Sequence, residues 1–331
     1  MINQQILENS KLQQYLDEKE LNNLFQYCTV LDFKPDEKII EQGKIGEGLY
    51  YILNGSTIAT AKIMASGYTT LEKRNAGEFF DEISFMEKVP SPKSFIACSH
   101  VQCLFIPHLY MDLLAQLHPK TKFKLFCALI NQVYNRLKLI NDKIATILDQ
   151  SDMTTMSHFS NIIHSLTKPT VTTLDEVKLD INLLYRLPLF EQMTTNEIDN
   201  IIKQINVITA PKNCTIIGKA EKSPSCYIPI HGAVQSSIVH DNKTAKLSVI
   251  GPGTLFANIA CIEANLTFDI TFVTCEKSVL LKFSDEAINF IKNKHPMMWY
   301  KLFYTICRSL VALERSVDKL EIRLNTEIYN R

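Results

Sequence analysis

The sequence predicts an α+β protein, mainly β: two tandem β-rolls of jelly-roll type, each flanked by helices and each closed by a long C-terminal helix. Three observations predict it. Residues in the two halves of the 331-residue chain match at a nearly constant offset of 177. Short β-rich runs are densely punctuated by glycine and proline. Each half ends in an apolar seam at helical spacing.

The repeat sets the domain organisation. Tyr50-Tyr51-Ile52-Leu53-Asn54-Gly55 matches Tyr227-Ile228-Pro229-Ile230-His231-Gly232, and His118-Pro119 matches His295-Pro296. Lys124-Leu125-Phe126 matches Lys301-Leu302-Phe303, and Glu20, Leu21 and Leu24 match Glu197, Ile198 and Ile201. All of these pairs are 177 apart, whereas Gly77 and Phe80 match Gly253 and Phe256 at 176, a one-residue slip in a loop. A collinear set of this length marks a tandem duplication. The first domain is expected over 1–150 with its long helix, a connector over 151–187, and the second domain with its own long helix over 188–331.

Each half opens with a short helix, marked by Leu16, Leu21, Leu24 and Phe25 in the first and by Ile198, Ile201 and Ile202 in the second. Strands follow. In the first half they are expected at 38–41, 49–53, 57–60, 95–98 and 103–106, with glycines 43, 46, 48, 55, 67 and 77 between them. Helix 108–117 stops before Pro119, since the residue before proline disfavours helical backbone. Leu109, Leu113 and Leu114 make it an ordinary packing helix, and His118 and His295 are expected to act as structural caps. The long helix of the first half carries Phe126, Ile130, Val133, Leu137, Ile140, Ile144 and Ile147 at alternating spacings of four and three. That is the a/d pattern of helix pairing, between the halves or between two chains, and equally the stripe of a helix packed on its own β-roll. The second half repeats it with Leu302, Ile306, Leu310, Leu313, Val317, Leu320 and Leu324.

Composition and motifs narrow the function. Lys+Arg and Asp+Glu are equal at 35 each, so no global charge draws the chain to nucleic acid or acidic lipid. The start lacks a basic and apolar leader, and no apolar run approaches the roughly 20 residues of a membrane span, so a cytoplasmic protein is expected. The nine cysteines form no paired spacing and read as buried hydrophobes in a reducing compartment. The eight histidines have no metal-ligand context, and no Walker loop, nucleophile elbow or dinucleotide fingerprint appears, so neither an enzyme nor a cofactor is expected. No recognition helix follows either long helix, which argues against DNA binding.

Ile39, Gly43, Gly46, Tyr50, Ile52 and Gly55, followed by Gly77-Glu78-Phe79-Phe80-Asp81-Glu82-Ile83-Ser84, resemble the cyclic-nucleotide-binding domain family. The second stretch looks like that family's phosphate-binding cassette. The resemblance implies two β-rolls, a regulatory and non-catalytic role, and a cyclic nucleotide (cyclic AMP or cyclic GMP) as ligand. It also implies how the cassette works: a short helix offers backbone N–H groups to the phosphate, a Glu accepts the ribose 2′-hydroxyl, and a downstream Arg pairs with the phosphate. A glycine before the Glu lets backbone approach the ligand closely.

On that resemblance the first domain keeps Glu82, Ile83 and Ser84, with Asp81 at the glycine position. Ser91 stands where the family has Arg, Ser94 where it has Thr or Ser, and Lys93 lies two residues from the Arg position. Glu82, Ile83, Ser84, Ser91, Lys93 and Ser94 are therefore the candidate ligand-binding residues. The second domain departs further: Ala257 replaces the glycine, Asn258 the Glu and Phe268 the Arg, with Asp269 adjacent. Ala220 and Ser223 correspond to Gly43 and Gly46, and Thr271 is kept. Two functions follow. One is a sensor whose first domain binds a cyclic nucleotide or nucleoside and shifts its C-terminal helix, with a protein partner and a homodimer through the long helices. The other is a nucleotide-independent scaffold on the same fold, whose helices and surfaces bind protein partners.

Overall fold

The computed structural model describes residues 10–63, 67–149, 168–178, 180–218, 225–240, 243–256 and 270–329. They fall into two compact units, one holding the chain up to residue 135 with residues 311 onward, the other 136–310. The division passes through both long helices.

In the first unit a 3₁₀ turn at Lys11–Gln14 leads into helix α1 (Glu18–Tyr27). A capping box starts α1: the Asp17 carboxylate accepts the Glu20 N–H, and Glu20 in turn accepts the Asp17 N–H. Strands β1 (Thr29–Phe33), β2 (Lys38–Ile40), β3 (Gly48–Asn54), β4 (Ser56–Ile63), β5 (Gly67–Asn75) and β6 (Phe79–Phe80) follow. Helix α2 (Glu82–Glu87), strands β7 (Ser94–Ala97) and β8 (Val101–Pro107), and helices α3 (His108–Leu117) and α4 (Pro119–Asp149) complete the half. Two antiparallel sheets, β1-β8-β3-β6 and β2-β7-β4-β5, face each other. Ile40, Ile52, Ala59, Phe80, Phe95, Ala97, Val101 and Cys103 form the core between them.

Among the described residues the second half follows the same order, without counterparts of β6 and α2. A strand in the connector, β9 (Thr170–Thr172), precedes helix α5 (Ile181–Tyr185), a 3₁₀ turn at Pro188–Phe190 and helix α6 (Thr195–Ile202). Strands β10 (Asn206–Ala210), β11 (Thr215–Ile217), β12 (Cys226–His231), β13 (Val234–His240), β14 (Lys243–Ile250), β15 (Ile270–Thr274) and β16 (Ser278–Phe283) follow, then helices α7 (Asp285–Lys294) and α8 (Pro296–Tyr329). Its sheets run β12-β16-β10-β9 and β11-β15-β13-β14. The second of these matches β2-β7-β4-β5 strand for strand. The short pairing of Tyr50 with Phe80 recurs as a bridge between Tyr227 and Phe256.

The two rolls and their long helices, of 31 and 34 residues, agree with the sequence reading. The backbone N–H groups of His118 and His295 close their helices on Leu114 and Ile291, at 2.9 Å each. Three details differ. Leu109 and Leu113 of α3 are exposed, Leu109 to 80%, because Tyr110, Met111 and Leu114 take the inward face. Ile147 is half-buried and Leu148 is buried in its place; a straight helix at 3.6 residues per turn drifts off a 3.5-residue seam. The same drift leaves Leu313 half-buried and brings Glu314 inward. Phe126, Ile130, Val133, Leu137, Ile140 and Ile144 are all buried within a single chain.

Candidate functional site

The cassette is held by its ends. Gly77 turns the chain with φ +87°, and its carbonyl accepts from Gln132 Nε2 of α4 at 2.9 Å. The Oε1 of the same side chain accepts the Phe79 N–H at 2.8 Å, so one residue of the long helix fixes the cassette entrance. In the second unit Ser309 of α8, 177 residues on, donates to the Leu255 carbonyl at 2.8 Å. Phe80 stacks on Tyr50 with ring centroids 5.0 Å apart, which sets the depth of the strand before α2.

Asp81 precedes α2 with φ 63° and ψ 24°, left-handed backbone where glycine is the residue of least strain. This explains the family's glycine by backbone conformation as well as by close approach. The Asp81 side chain is buried, and neither carboxylate oxygen accepts a hydrogen bond from the described residues. Burial pushes its carboxyl up to about 7, and nearby Ser91 and Lys93 only partly offset that. A Cβ at Gly46 would meet an Asp81 carboxylate oxygen, so a larger residue there requires the Asp81 side chain to shift.

All six candidate ligand residues are buried and lie around α2 and the start of β7. Ser84 Oγ accepts the Gly46 N–H at 2.7 Å, and Ser94 Oγ accepts the Gln42 N–H at 2.9 Å. Ser91 Oγ donates to the Lys93 carbonyl at 2.9 Å. These hydroxyls thus hold loops together. Ile83 packs into the core beside Glu82. Lys93 turns inward. Its Nζ lies 2.6 Å from Glu72 Oε1 and 2.7 Å from Asp318 Oδ2, the latter carried by the C-terminal part of α8 within the same unit. Burial alone would lower its ammonium, but Asp318 and Glu72 outweigh it and hold the group above the ordinary lysine range. Burial holds Asp318 above the ordinary carboxylate range, against the pull of Lys93.

Three participants escaped the sequence reading. Arg74 of β5 is buried, pairs with both carboxylate oxygens of Glu72 and brings Nη2 to 3.8 Å from Glu82 Oε1. The first cassette thus has an arginine, supplied by a strand before it instead of the loop after it. Glu72 and Arg74 are two apart on a strand, which puts them on one face; that spacing was the available signal. Asp318 had a different signal. With Glu314 and Glu321 it forms an acidic series at spacings of four and three inside an apolar seam. Residues 220, 223, 257, 258, 268 and 269, on which the reading of the second cassette rests, lie outside the described residues. Thr271 is half-buried on β15.

Among the described residues no cluster of His, Cys, Asp and Glu could hold a metal ion, and no helix is long and apolar enough to cross a membrane. The profile described as cyclic nucleotide-binding domain matches residues 30–117 and again 207–295. The chain belongs to the cyclic nucleotide-binding domain family. No curated protein matches it. Similar solved structures include the regulatory subunit of a cAMP-independent protein kinase A from Trypanosoma brucei, 15% identical over 88% of this chain and 86% of that one, with a TM-score of 0.32. The corresponding subunit from Trypanosoma cruzi, bound to guanosine, is 14% identical over 88% and 83%, TM-score 0.32. A cyclic nucleotide-binding domain from Methylobacillus flagellatus is 14% identical over 46% and 86%, TM-score 0.40.

Proposed function

We propose that this member of the family is a cytoplasmic, non-catalytic regulatory protein whose first roll senses a ribose-bearing ligand, a nucleoside in preference to a cyclic nucleotide. The second roll takes no nucleotide, and a protein partner reads the change. The pairing of the two cassette cations carries the reading. Arg74 lies on Glu72 and near Glu82, while Lys93 lies between Glu72 and Asp318. A cyclic phosphate arriving there meets cations already neutralised and carboxylates that repel it. At an effective dielectric near 20, one unit-charge pair at 4 Å is worth about 4 kcal/mol before desolvation, enough to decide against the phosphate. Glu82, kept at the position where the family accepts a ribose hydroxyl, favours the sugar. For the second roll, Ala257, Asn258 and Phe268 in place of glycine, Glu and Arg support the loss of the site.

The burial of all six candidate residues favours a second reading, a scaffold that binds no nucleotide. Calorimetry on the full chain separates them. Adenosine or guanosine should bind at least as tightly as cyclic AMP and cyclic GMP, and Glu82→Ala should abolish that binding. A cyclic nucleotide held a hundredfold tighter than its nucleoside would overturn the sensor reading, and no heat with any of the four would favour the scaffold.

A further inference from the structure

We propose that the first cassette is a docking site for an acidic helix, and that the chain fills it with its own residues 311–324. This goes beyond the choice of ligand but rests on the reading that the first roll holds the ligand site.

Residues 311 onward belong to the same compact unit as the first roll. On this stretch of α8, Glu314, Asp318 and Glu321 share one face at helical spacing. All three are buried, none exposed beyond 2%. Carboxylates are almost never buried without compensation, because removing an unpaired charge from water costs far more than a domain's net stability. A helix that only had to pack would carry apolar residues here, as it does at Val311, Val317, Leu320 and Leu324. Asp318 finds its compensation on the cassette cation Lys93 at 2.7 Å. One residue from Glu314, Arg315 Nε reaches Glu87 Oε2, on the cassette helix itself, at 2.9 Å. The helix thus grips the site twice with opposite polarity, a cation to its carboxylate and a carboxylate to its cation. That arrangement fixes register as well as attraction.

The position of Lys93 gives the contact its meaning. It lies two residues past Ser91, beside the position where the family's phosphate-pairing Arg is expected, so Asp318 presents an anion where a cyclic phosphate would arrive. A phosphate must displace Asp318 to reach Lys93. A neutral ribose ligand need not. An intramolecular occupant acts at high effective concentration, and an external anion then binds with an affinity reduced by the fraction of time the helix is away. The class of ligand that competes with the helix is therefore a small phosphate-bearing one, and binding it releases residues 311–324.

The test uses the full chain and its Asp318→Asn variant, titrated with cyclic AMP and adenosine, with hydrogen exchange read on peptides covering 311–324 and 82–97. Asp318→Asn should bind cyclic AMP at least tenfold more tightly than wild type and adenosine within threefold of it. In wild type, saturating cyclic AMP should strip protection from 311–324 while protecting 82–97, and adenosine should leave 311–324 protected. The wild-type exchange arm stands even if the variant fails to fold. Equal cyclic AMP affinity in both proteins, protection of 311–324 retained with cyclic AMP bound, or no cyclic AMP binding to either protein would overturn the docking proposal. Absence of adenosine binding with the cyclic AMP results as expected would remove the nucleoside reading and leave the docked helix standing.

Discussion

At position 81 a left-handed backbone and a buried carboxylate meet in one residue. With its folded pKa raised, Asp81 favours the folded state while protonated. That contribution is fully present below the unfolded value near 4 and is lost as pH rises through about 7. Stability should therefore fall between pH 4 and 7 at this site by up to about 1.4 kcal/mol per pH unit. Asparagine tolerates left-handed backbone and carries no charge. Asp81→Asn should accordingly raise the Tm at pH 8 and leave it nearly unchanged at pH 4, as followed by circular dichroism. A variant that loses stability equally at both pH values would contradict this origin. The backbone cost of Asp81 was hidden in the sequence, where only its charge was visible. Arg74 was hidden differently: β5, the strand that turns it inward, was not among the strands read from the sequence. Asp318 and Lys93 are more than two hundred residues apart, so no local pattern joins them.

Helices α4 and α8 show the repeat at the scale of elements. Lys124 of α4 reaches Glu20 Oε2 at 2.6 Å, and Lys301 of α8 reaches Glu197 Oε2 at 2.8 Å. Glu20 and Glu197 are also the capping-box residues of α1 and α6, so one carboxylate both starts a helix and tethers a long one. Both pairs are partly exposed, and Lys124→Ala and Lys301→Ala should each cost only about 0.2–1 kcal/mol. Gln132→Ala leaves the Gly77 carbonyl and the Phe79 N–H without that partner and should cost more, about 1–3 kcal/mol by denaturant melts. Because the seam is buried within one chain, Leu137→Glu with Ile140→Glu should lower the Tm sharply without halving the sedimenting mass. A halved mass with an unchanged melt would instead place the seam between two chains. These matched lysines and glutamates stood in the sequence at the 177 offset, and their pairing explains why they match. Periodicity showed which helix faces are buried, but not the drift that replaced Ile147 by Leu148 and Leu313 by Glu314.

For the whole molecule, duplication gives two similar rolls and divergence makes them unequal. The offset made the tandem architecture legible because sheet order and cassette turn follow from the same residues in both halves. The division of the long helices between units was not legible, since an apolar stripe states that a helix is buried and not what covers it. The proposed asymmetry, a first roll that senses and a second that does not, belongs to this scale. Its most direct test is the stoichiometry of nucleoside binding to the full chain, measured by calorimetry with the active protein concentration fixed independently. One molecule per chain is predicted, abolished by Glu82→Ala and unchanged by Asn258→Ala. Two per chain, or one that survives Glu82→Ala and is lost with Asn258→Ala, would contradict the account.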